Sequence, residues 1–163
     1  MGKTMNIIKG EPDKELKRLI KESFEKKEYI AYGQGKIRDK KLIQILKDEG
    51  FKVIVSGKSR DIFIKGKYVL KLPRNKEGYI SNKLEVRTYN KITPKKHLAK
   101  IYSYDKRYRW LVMERIEIPD YEKCVKHAMK LRSIYNNIQD IHVKNVGEKN
   151  GIPVLLDYGG HYL

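Results

Sequence analysis

The sequence predicts an α+β protein in which helices flank a five-stranded antiparallel sheet. Three stretches, at 13–28, 39–50 and 120–135, repeat apolar residues at the spacing of an amphipathic helix. Residues 51–118 instead hold five short runs of β-branched and aromatic residues, separated by turns that contain glycine or charged residues. One more helical stretch lies between the third and fourth runs.

Residues 1–50 predict a helical extension. Glu11-Pro12-Asp13 marks a helix start, and the apolar residues that follow recur at helical spacing, so we expect a helix over 13–28. Asp39 is a candidate N-cap for a second helix, which Gly50 closes.

The sheet is predicted from five strand-like runs. FKVIVSG, RDIFIKG and KYVLKLP predict three antiparallel strands, and KIYSYD and RWLVMERIE predict a pair joined by a charged turn at 105–107. Between them, NKLEVRTYNKI predicts a helix with Leu84, Tyr89 and Ile92 on one face and Pro94 as its stop. We therefore expect one helix to follow the third strand.

The last part of the chain predicts a helix and then a hairpin. Asp120 is the candidate N-cap of a helix of about 16 residues, whose apolar stripe is expected to run from Tyr121 to Tyr135. Cys124 lies in that stripe, and this single cysteine is expected to be buried, since it can form neither an intrachain disulfide nor a thiolate metal site.

Composition excludes several classes of protein. Hydrophobic residues make up 40% of the chain and there are 12 tyrosines, so the chain is expected to fold. No apolar run approaches the roughly 18 residues needed to span a bilayer, and the N-terminus lacks the apolar core of a signal peptide. We expect a cytoplasmic protein that does not enter the membrane.

The net charge of +17 predicts attraction to polyanions. Residues 51–119 carry 18 basic and 6 acidic side chains, so this segment holds most of the excess. It is either a solvated surface or a surface for an acidic protein or nucleic-acid partner. Four aromatic residues lie near the basic residues of 106–109 and could stack on bases, namely Tyr102, Tyr104, Tyr108 and Trp110.

Chemically reactive side chains are concentrated in IQDIHVKNVGEKNGIPVLLDYGG, residues 138–160. Asp140 and Asn145 precede a predicted hairpin, and Asp157 ends its apolar second strand. Two carboxylates and an amide are hard oxygen ligands of the kind that Mg²⁺ bound to a polyphosphate requires. The alternative is that Asp140 and Asn145 cap turns through local hydrogen bonds.

These motifs resemble those of the protein-kinase-like superfamily. DIHVKN matches the D-x-x-x-x-N of the catalytic loop, and DYG matches the D-F-G metal motif. Upstream, YVLKLP resembles the third-strand motif that carries the phosphate-holding lysine, and WLVMERIE resembles the fifth strand and hinge. The resemblance spans about residues 51–160, and the motifs occur in the family's order.

The resemblance implies an architecture with a kinase-like N-lobe, made of the five-stranded sheet and a helix, and a truncated C-lobe. The expected division is a helical extension at 1–50, the N-lobe at 51–118 and the C-lobe at 119–163. It also implies ATP and Mg²⁺ as cofactors, with Lys71 holding phosphates and Glu85 pairing with it. Asp140 would be the catalytic base, and Asn145 and Asp157 the metal ligands. The implied nucleotide-binding residues are Gly57, Lys58, Ser59, Val69, Lys71, Met113, Glu114 and Ile116.

The sequence also departs from the family pattern. The loop SGKSRDIF has one glycine in place of three, and side chains of Lys58, Ser59 and Arg60 could replace backbone contacts to phosphate. Ile138 and Gln139 stand where histidine and arginine commonly precede the catalytic aspartate. The sequence ends soon after the metal motif, as in short kinase-like proteins of bacteria and their phages.

Three functional hypotheses follow. The first is an ATP- and Mg²⁺-dependent phosphotransferase whose acceptor is unknown. The second is a pseudokinase, a catalytically weak or inactive protein that binds nucleotide or a partner as a regulator. The third is a basic nucleic-acid-binding module on an unrelated α+β fold, for which affinity should fall steeply with salt.

Overall fold

The structure, a computed structural model, describes residues 5–31, 39–56, 59–138 and 141–158. The chain begins with a two-residue-per-strand hairpin, β1 (Ile7–Ile8) and β2 (Glu11–Pro12), followed by helices α1 (Lys14–Ala31) and α2 (Lys40–Asp48). The Asp39 side chain accepts a hydrogen bond from Leu42 N at 3.0 Å. The sequence analysis predicted this cap and both helices but did not predict the hairpin, whose strands are too short to show alternation.

A five-stranded antiparallel sheet follows, as the sequence predicted. Its strands lie in the order β3-β4-β5-β7-β6, and helix α3 (Lys76–Lys91) connects β5 to β6. The strands are β3 (Lys52–Ser56), β4 (Arg60–Lys65), β5 (Tyr68–Pro73), β6 (Ile101–Tyr104) and β7 (Leu111–Glu114).

The two faces of the sheet pack against different layers because side chains alternate along each strand. On β5, Leu70 and Leu72 join a core with α1 and α2, in which Leu16 and Ile20 are fully buried. Lys71, between those leucines, lies on the opposite face. The helices of the first fifty residues therefore cover one face of the sheet and leave the lysine on the other.

The second core joins that opposite face to the C-terminal part of the chain. It contains residues of α3 and β7, of helix α4 (Tyr121–Ile134), and of a hairpin formed by β8 (Val146–Lys149) and β9 (Ile152–Leu155). The hairpin also bonds to two segments of the sheet region: Ala99 N donates to Leu155 O at 2.9 Å, and Glu148 N donates to Glu117 O at 2.8 Å. These bonds fix the hairpin beside the sheet.

Gly147 permits the close approach of the hairpin to the segment after β7. A Cβ atom at this position would lie 2.7 Å from the Glu117 carbonyl oxygen and 2.7 Å from Ile116 Cγ2. Both distances are shorter than the contacts that Cβ atoms make in proteins. Any side chain at position 147 would therefore push the hairpin away from the segment after β7.

Helix α3 differs from its prediction in extent and in its buried face. It begins at Lys76, six residues before the predicted stretch, and Asn75 caps it by accepting from Gly78 N at 3.0 Å. Its buried residues are largely polar or small: Gly78, Asn82, Glu85, Val86 and Thr88. Leu84 is only partly buried, but Ile92 is buried and Tyr89 packs against the same core, so the predicted face is correct at two of its three residues. Apolar periodicity did not indicate the buried polar residues, which belong to a polar site.

Helix α4 agrees with its prediction except at its first turn. Asp120 accepts from Lys123 N at 2.9 Å, and Cys124 is buried. Tyr121, predicted in the apolar stripe, is 73% exposed because the helix reaches the core only from Cys124 onward. No helix among the described residues is both long and apolar enough to cross a membrane. The three-part division of the chain stays a prediction.

Candidate functional site

The site is centred on a buried ion pair between the sheet and α3. Lys71 Nζ lies 2.9 Å from Glu85 Oε1 and 3.1 Å from Glu85 Oε2. The lysine is 4% exposed and the glutamate is completely buried. Strand alternation turns Lys71 toward α3, and the helix turns Glu85 toward the strand. Buried charges are tolerated when they are paired in this way.

Arg60, the first residue of β4, brings a second cation to the same glutamate. Its Nη1 donates to Glu85 Oε1 and, at 3.0 Å, to Asn82 Oδ1, while its Nη2 donates to Asp157 Oδ1 at 3.0 Å. Burial alone would lower the pKa of Arg60, but the charges of Glu85 and Asp157 outweigh burial and raise the pKa above its ordinary value. The guanidinium is therefore charged and links the helix to the C-terminal segment.

Asn82 supports this arrangement from one turn earlier on α3. Its amide nitrogen donates to Tyr108 O at 3.0 Å and to Lys71 O at 3.4 Å, and the side chain is fully buried. Sequence analysis missed Asn82. The available signal was its spacing of three residues from Glu85, which places both side chains on one helix face.

The segment after β3 is held against the start of α3. Ser59 O accepts from Arg74 N at 2.7 Å, and a Cβ atom added to Gly78 would lie 2.2 Å from the same oxygen. Only a glycine allows the helix and the loop to approach this closely. Gly57 and Lys58, which were predicted to bind phosphate with Ser59, lie outside the described residues.

The C-terminal hairpin delivers Asp157 to the ion pair. Lys71 Nζ donates to Leu156 O at 3.4 Å, and Leu156 N donates to Asn145 O at 2.7 Å, so one backbone hydrogen bond joins Asn145 to the residue before Asp157. Next to them, the buried Tyr158 donates its hydroxyl to Ala99 O at 2.7 Å. Burial raises the pKa of Tyr158 well above its ordinary value, so the hydroxyl remains a donor.

The two predicted metal ligands fit a magnesium site by donor type. Asp157 offers carboxylate oxygens and Asn145 an amide oxygen, both hard ligands, and Mg²⁺ typically takes one or two carboxylates with phosphate oxygens and water. Asn145 Nδ2 lies 3.1 Å from His142 Nε2, which orients the amide. Asp140 lies outside the described residues. Within residues 5–31, 39–56, 59–138 and 141–158, no three His, Cys, Asp or Glu side chains form a cluster that could hold a metal.

The predicted adenine-side residues lie on β5 and β7. Val69 is paired with Met113 across the two strands, and Val69 is half-buried while Met113 is buried. Glu114 N donates to Lys100 O at 2.8 Å. Ile116 N–H, which the sequence analysis placed in the hinge, makes no backbone hydrogen bond within the described part of the chain.

Comparison with solved structures identifies the fold. A structure of WbdD in complex with a kinase inhibitor matches with a TM-score of 0.50 and 13% sequence identity, over 64% of this chain and 31% of the WbdD chain. This chain has a protein-kinase-like fold. The kinase-like chain thus spans about a third of that WbdD chain, and at this identity the likeness concerns the fold alone.

Aminoglycoside phosphotransferases are also similar to the kinase-like chain. APH(2'')-IIa, in a complex with streptomycin and ATP, matches with a TM-score of 0.42 and 21% identity, over 65% of this chain and 41% of its own. ADP-bound APH(2'')-Ib matches with a TM-score of 0.43 and 20% identity, over 64% and 41%. No family model matches the chain, and no curated protein sequence matches it.

Proposed function

We propose that the chain is an ATP- and Mg²⁺-dependent phosphotransferase, with the acceptor left open. The observation that carries the proposal is the buried Lys71–Glu85 pair, which contacts the backbone immediately before Asp157. Phosphoryl transfer depends mainly on positioning and on neutralising phosphate charge. An ammonium fixed by a carboxylate beneath a helix can hold the α- and β-phosphates in one geometry.

Asn145 and Asp157 would hold Mg²⁺ at the end of the hairpin. Bound Mg²⁺ would supply charge neutralisation on the β- and γ-phosphates. The chain's own contribution is the backbone hydrogen bond from Leu156 N to Asn145 O, which holds Asn145 next to the segment that carries Asp157, with Tyr158 buried one residue later. Arg60, which now bonds Asp157, would lie close enough to the phosphates to contact them.

Asp140 would accept the proton of the acceptor hydroxyl. The acceptor oxygen would then form a bond to the γ-phosphorus as the bond to the β-phosphate bridging oxygen breaks, and ADP would leave. On the adenine side, Val69 and Met113 would contact the base, and Ile116 N–H would donate to its edge.

The test is a thermal-shift titration with ATP, with and without Mg²⁺. At a hundredfold excess over Kd, binding should stabilise the wild type by about 2.7 kcal/mol. In a chain of this length that amount raises Tm by roughly 5–11 °C. Lys71→Ala should lose this ATP-dependent shift relative to its own ligand-free Tm, because the phosphates lose their ammonium. Lys67→Ala, at an exposed lysine of the adjoining turn, is the matched control and should keep it.

An equal shift in wild type and Lys71→Ala would contradict the proposal. A shift that is lost in Lys67→Ala as well would also contradict it, since it would indicate non-specific attraction of ATP to a basic protein. Asp157→Asn tests the metal site separately. The increase in the Tm of this variant with ATP should no longer depend on Mg²⁺.

One observation favours the pseudokinase as a second candidate. The Asp157 carboxylate already bonds the Arg60 guanidinium, and the site therefore carries an internal cation where a metal would act. On this hypothesis ATP binds and stabilises the protein, but the wild type releases no ADP above the level of Asp157→Asn. If the wild type releases ADP and Asp157→Asn does not, the result favours the phosphotransferase over the pseudokinase. The third hypothesis assumed an unrelated fold, and the kinase-like fold replaces that assumption. Nucleic-acid binding itself stays a prediction.

A further inference from the structure

A basic groove lies on the other side of the sheet from the proposed nucleotide site. It has a volume of about 490 Å³ and runs between α1 and the turn that connects β6 to β7. Trp110 lines it, and this side chain belongs to the core formed with α1 and α2, not to the face that carries Lys71. The phosphotransferase proposal gives the groove no role.

The charge of the groove comes from two elements. Its basic lining residues are Lys14, Lys17, Arg18, Lys21, Lys106 and Arg109, against two acidic ones, Glu11 and Asp105. The first four recur at the spacing of a single helix face, so α1 presents one continuous basic stripe. The last two belong to the opposing turn. Both walls therefore carry positive charge.

Part of this charge is compensated and part is not. Lys17 pairs with Glu11, Arg18 with Glu15 and Glu22, and Arg109 with Asp105. The other three basic residues, which are Lys14, Lys21 and Lys106, form no ion pair with any described residue. Three ammonium groups without an acidic partner thus line one groove, and their positive potential would attract an anionic ligand.

Aromatic rings accompany the charge. Tyr104 lines the groove and is 44% exposed, and its ring is parallel to that of Tyr108, with centroids 6.1 Å apart and an interplanar angle of 10°. Trp110 is buried at the base, with Lys17 Nζ 5.7 Å from its ring centroid. An exposed aromatic ring that lies parallel to a second ring offers a face on which a nucleobase can stack.

We propose that this groove binds single-stranded nucleic acid. Its ammonium groups would contact backbone phosphates, and Tyr104 would stack on an unpaired base. An acidic peptide would satisfy the charges but carries a planar group only where it has an aromatic side chain, whereas single-stranded nucleic acid has a planar base beside every phosphate. A duplex keeps its bases stacked on one another. The inference does not depend on the phosphotransferase proposal, because none of the groove residues belongs to the nucleotide site.

The test measures anisotropy of a short fluorescein-labelled oligoadenylate against the full chain at several salt concentrations. Reversing two charges on the α1 stripe, Lys14→Glu with Lys21→Glu, should weaken binding at least tenfold. It should also make the plot of log affinity against log salt shallower by about 0.7 for each phosphate that the variant no longer neutralises. Lys123→Glu with Lys130→Glu on α4 is the matched control, since both lysines are exposed, have the same spacing and give the same change in net charge. It should leave affinity within about twofold of the wild type.

Stacking is tested separately. Tyr104→Ala should weaken binding by about fivefold or more while leaving the salt dependence unchanged, and Tyr104→Phe should retain wild-type affinity. Equal losses of affinity in the two lysine pairs would overturn the proposal, since binding would then follow net charge alone. So would polyglutamate that competes as well as the oligonucleotide, or no binding at low salt.

Two further variants separate this proposal from the phosphotransferase. The Lys14→Glu, Lys21→Glu protein should keep the stabilisation by ATP and Mg²⁺, and Lys71→Ala should keep oligonucleotide binding. Loss of oligonucleotide binding in Lys71→Ala would place the nucleic acid in the nucleotide site and overturn the groove assignment. Failure of the ATP test alone would leave the groove prediction standing.

Discussion

At the residue scale, Arg60 is the feature that most distinguishes this site. One guanidinium bonds Glu85, Asn82 and Asp157, and so joins the β4 strand, the α3 helix and the segment after β9. The sequence indicated Arg60 only as a loop residue able to contact phosphate. Its partner Asp157 lies 97 positions away, so no local pattern could have predicted the contact.

Replacing Arg60 by methionine should destabilise the protein by about 2 kcal/mol, because hydrogen bonds to a buried amide and to charged groups are lost. Glu85 keeps Lys71, so the loss falls on Asn82 Oδ1 and on Asp157, whose side chain is 33% exposed and remains partly solvated. Chemical denaturation monitored by circular dichroism measures the free energy of unfolding. Arg115→Met, at an exposed arginine, is the control and should change it by no more than about 0.5 kcal/mol.

The same variant tests the competition between arginine and metal. With its cation removed, Asp157 should bind Mg²⁺ in the absence of nucleotide, so Mg²⁺ alone should raise the Tm of Arg60→Met more than that of the wild type. Adding Asp157→Asn to Arg60→Met should abolish the difference. An identical response of the wild type and Arg60→Met to Mg²⁺ would show that Arg60 and the metal do not share this carboxylate.

At the element scale, α3 carries most of the site on one face. Gly78, Asn82 and Glu85 lie along the side of the helix that meets the loop, the arginine and the lysine in turn. Each is buried, and none is an apolar side chain. Polar contacts with the loop, Arg60 and Lys71 therefore occupy this face of the helix, where an apolar stripe is usual.

Gly78→Ala should destabilise the protein although alanine favours helix by about 1 kcal/mol over glycine. The added methyl group would lie 2.2 Å from Ser59 O, so the loop must move. A lower Tm and weaker ATP stabilisation are both expected in thermal-shift measurements. Asn90→Ala, at an exposed position on the same helix, is the control for helix propensity and should raise Tm slightly. A Gly78→Ala protein as stable as Asn90→Ala would refute the close contact.

Features that local interactions determine could be predicted from the sequence, and features that depend on distant residues could not. Asp39 and Asp120 were predicted as caps because a cap is made within four residues. The five strands were predicted from runs of β-branched and aromatic residues between turns, a signal that is also local. The start of α3 at Lys76 was missed because Gly78 in its first turn reads as a helix breaker. The buried amide of Asn82 was missed because its partners lie on other elements.

At the scale of the whole molecule, two cores are built on the two faces of one sheet. One contains α1 and α2, and the other contains α3, α4 and the β8–β9 hairpin. The kinase-like resemblance predicted the sheet with its helix and the order of the motifs. It could not predict that helices of the first fifty residues pack on one face of that sheet, because that segment has no counterpart in the motifs.

Stability of the whole molecule should fall at alkaline pH. The Tyr135 hydroxyl donates to Pro94 O inside the second core, and burial raises the pKa of Tyr135 to about 12. The unfolded chain loses this proton near about 10. Between these values the unfolded state binds fewer protons, so the free energy of unfolding decreases as pH rises through that window.

Comparing Tyr135→Phe with the wild type isolates this effect. The variant should be less stable at neutral pH by about 1 kcal/mol, because Pro94 O loses its donor. Its stability should then fall less steeply than that of the wild type between pH values of about 10 and 12. Tyr121→Phe, at an exposed tyrosine, should follow the wild type throughout. If the free energy of unfolding falls equally steeply with pH in Tyr135→Phe and the wild type, Tyr135 is not the source of the alkaline loss of stability.

The sharing of Glu85 has a thermodynamic consequence for ligands. Arg60 and Lys71 balance Glu85 and Asp157, so these four groups carry no net charge among themselves. From these four groups, a nucleotide polyanion that entered alone would meet no excess of positive charge, and a divalent cation alone would meet no excess of negative charge. Each would gain from the other's presence. By linkage, affinity for one should then rise when the other is bound, by the same factor in both directions.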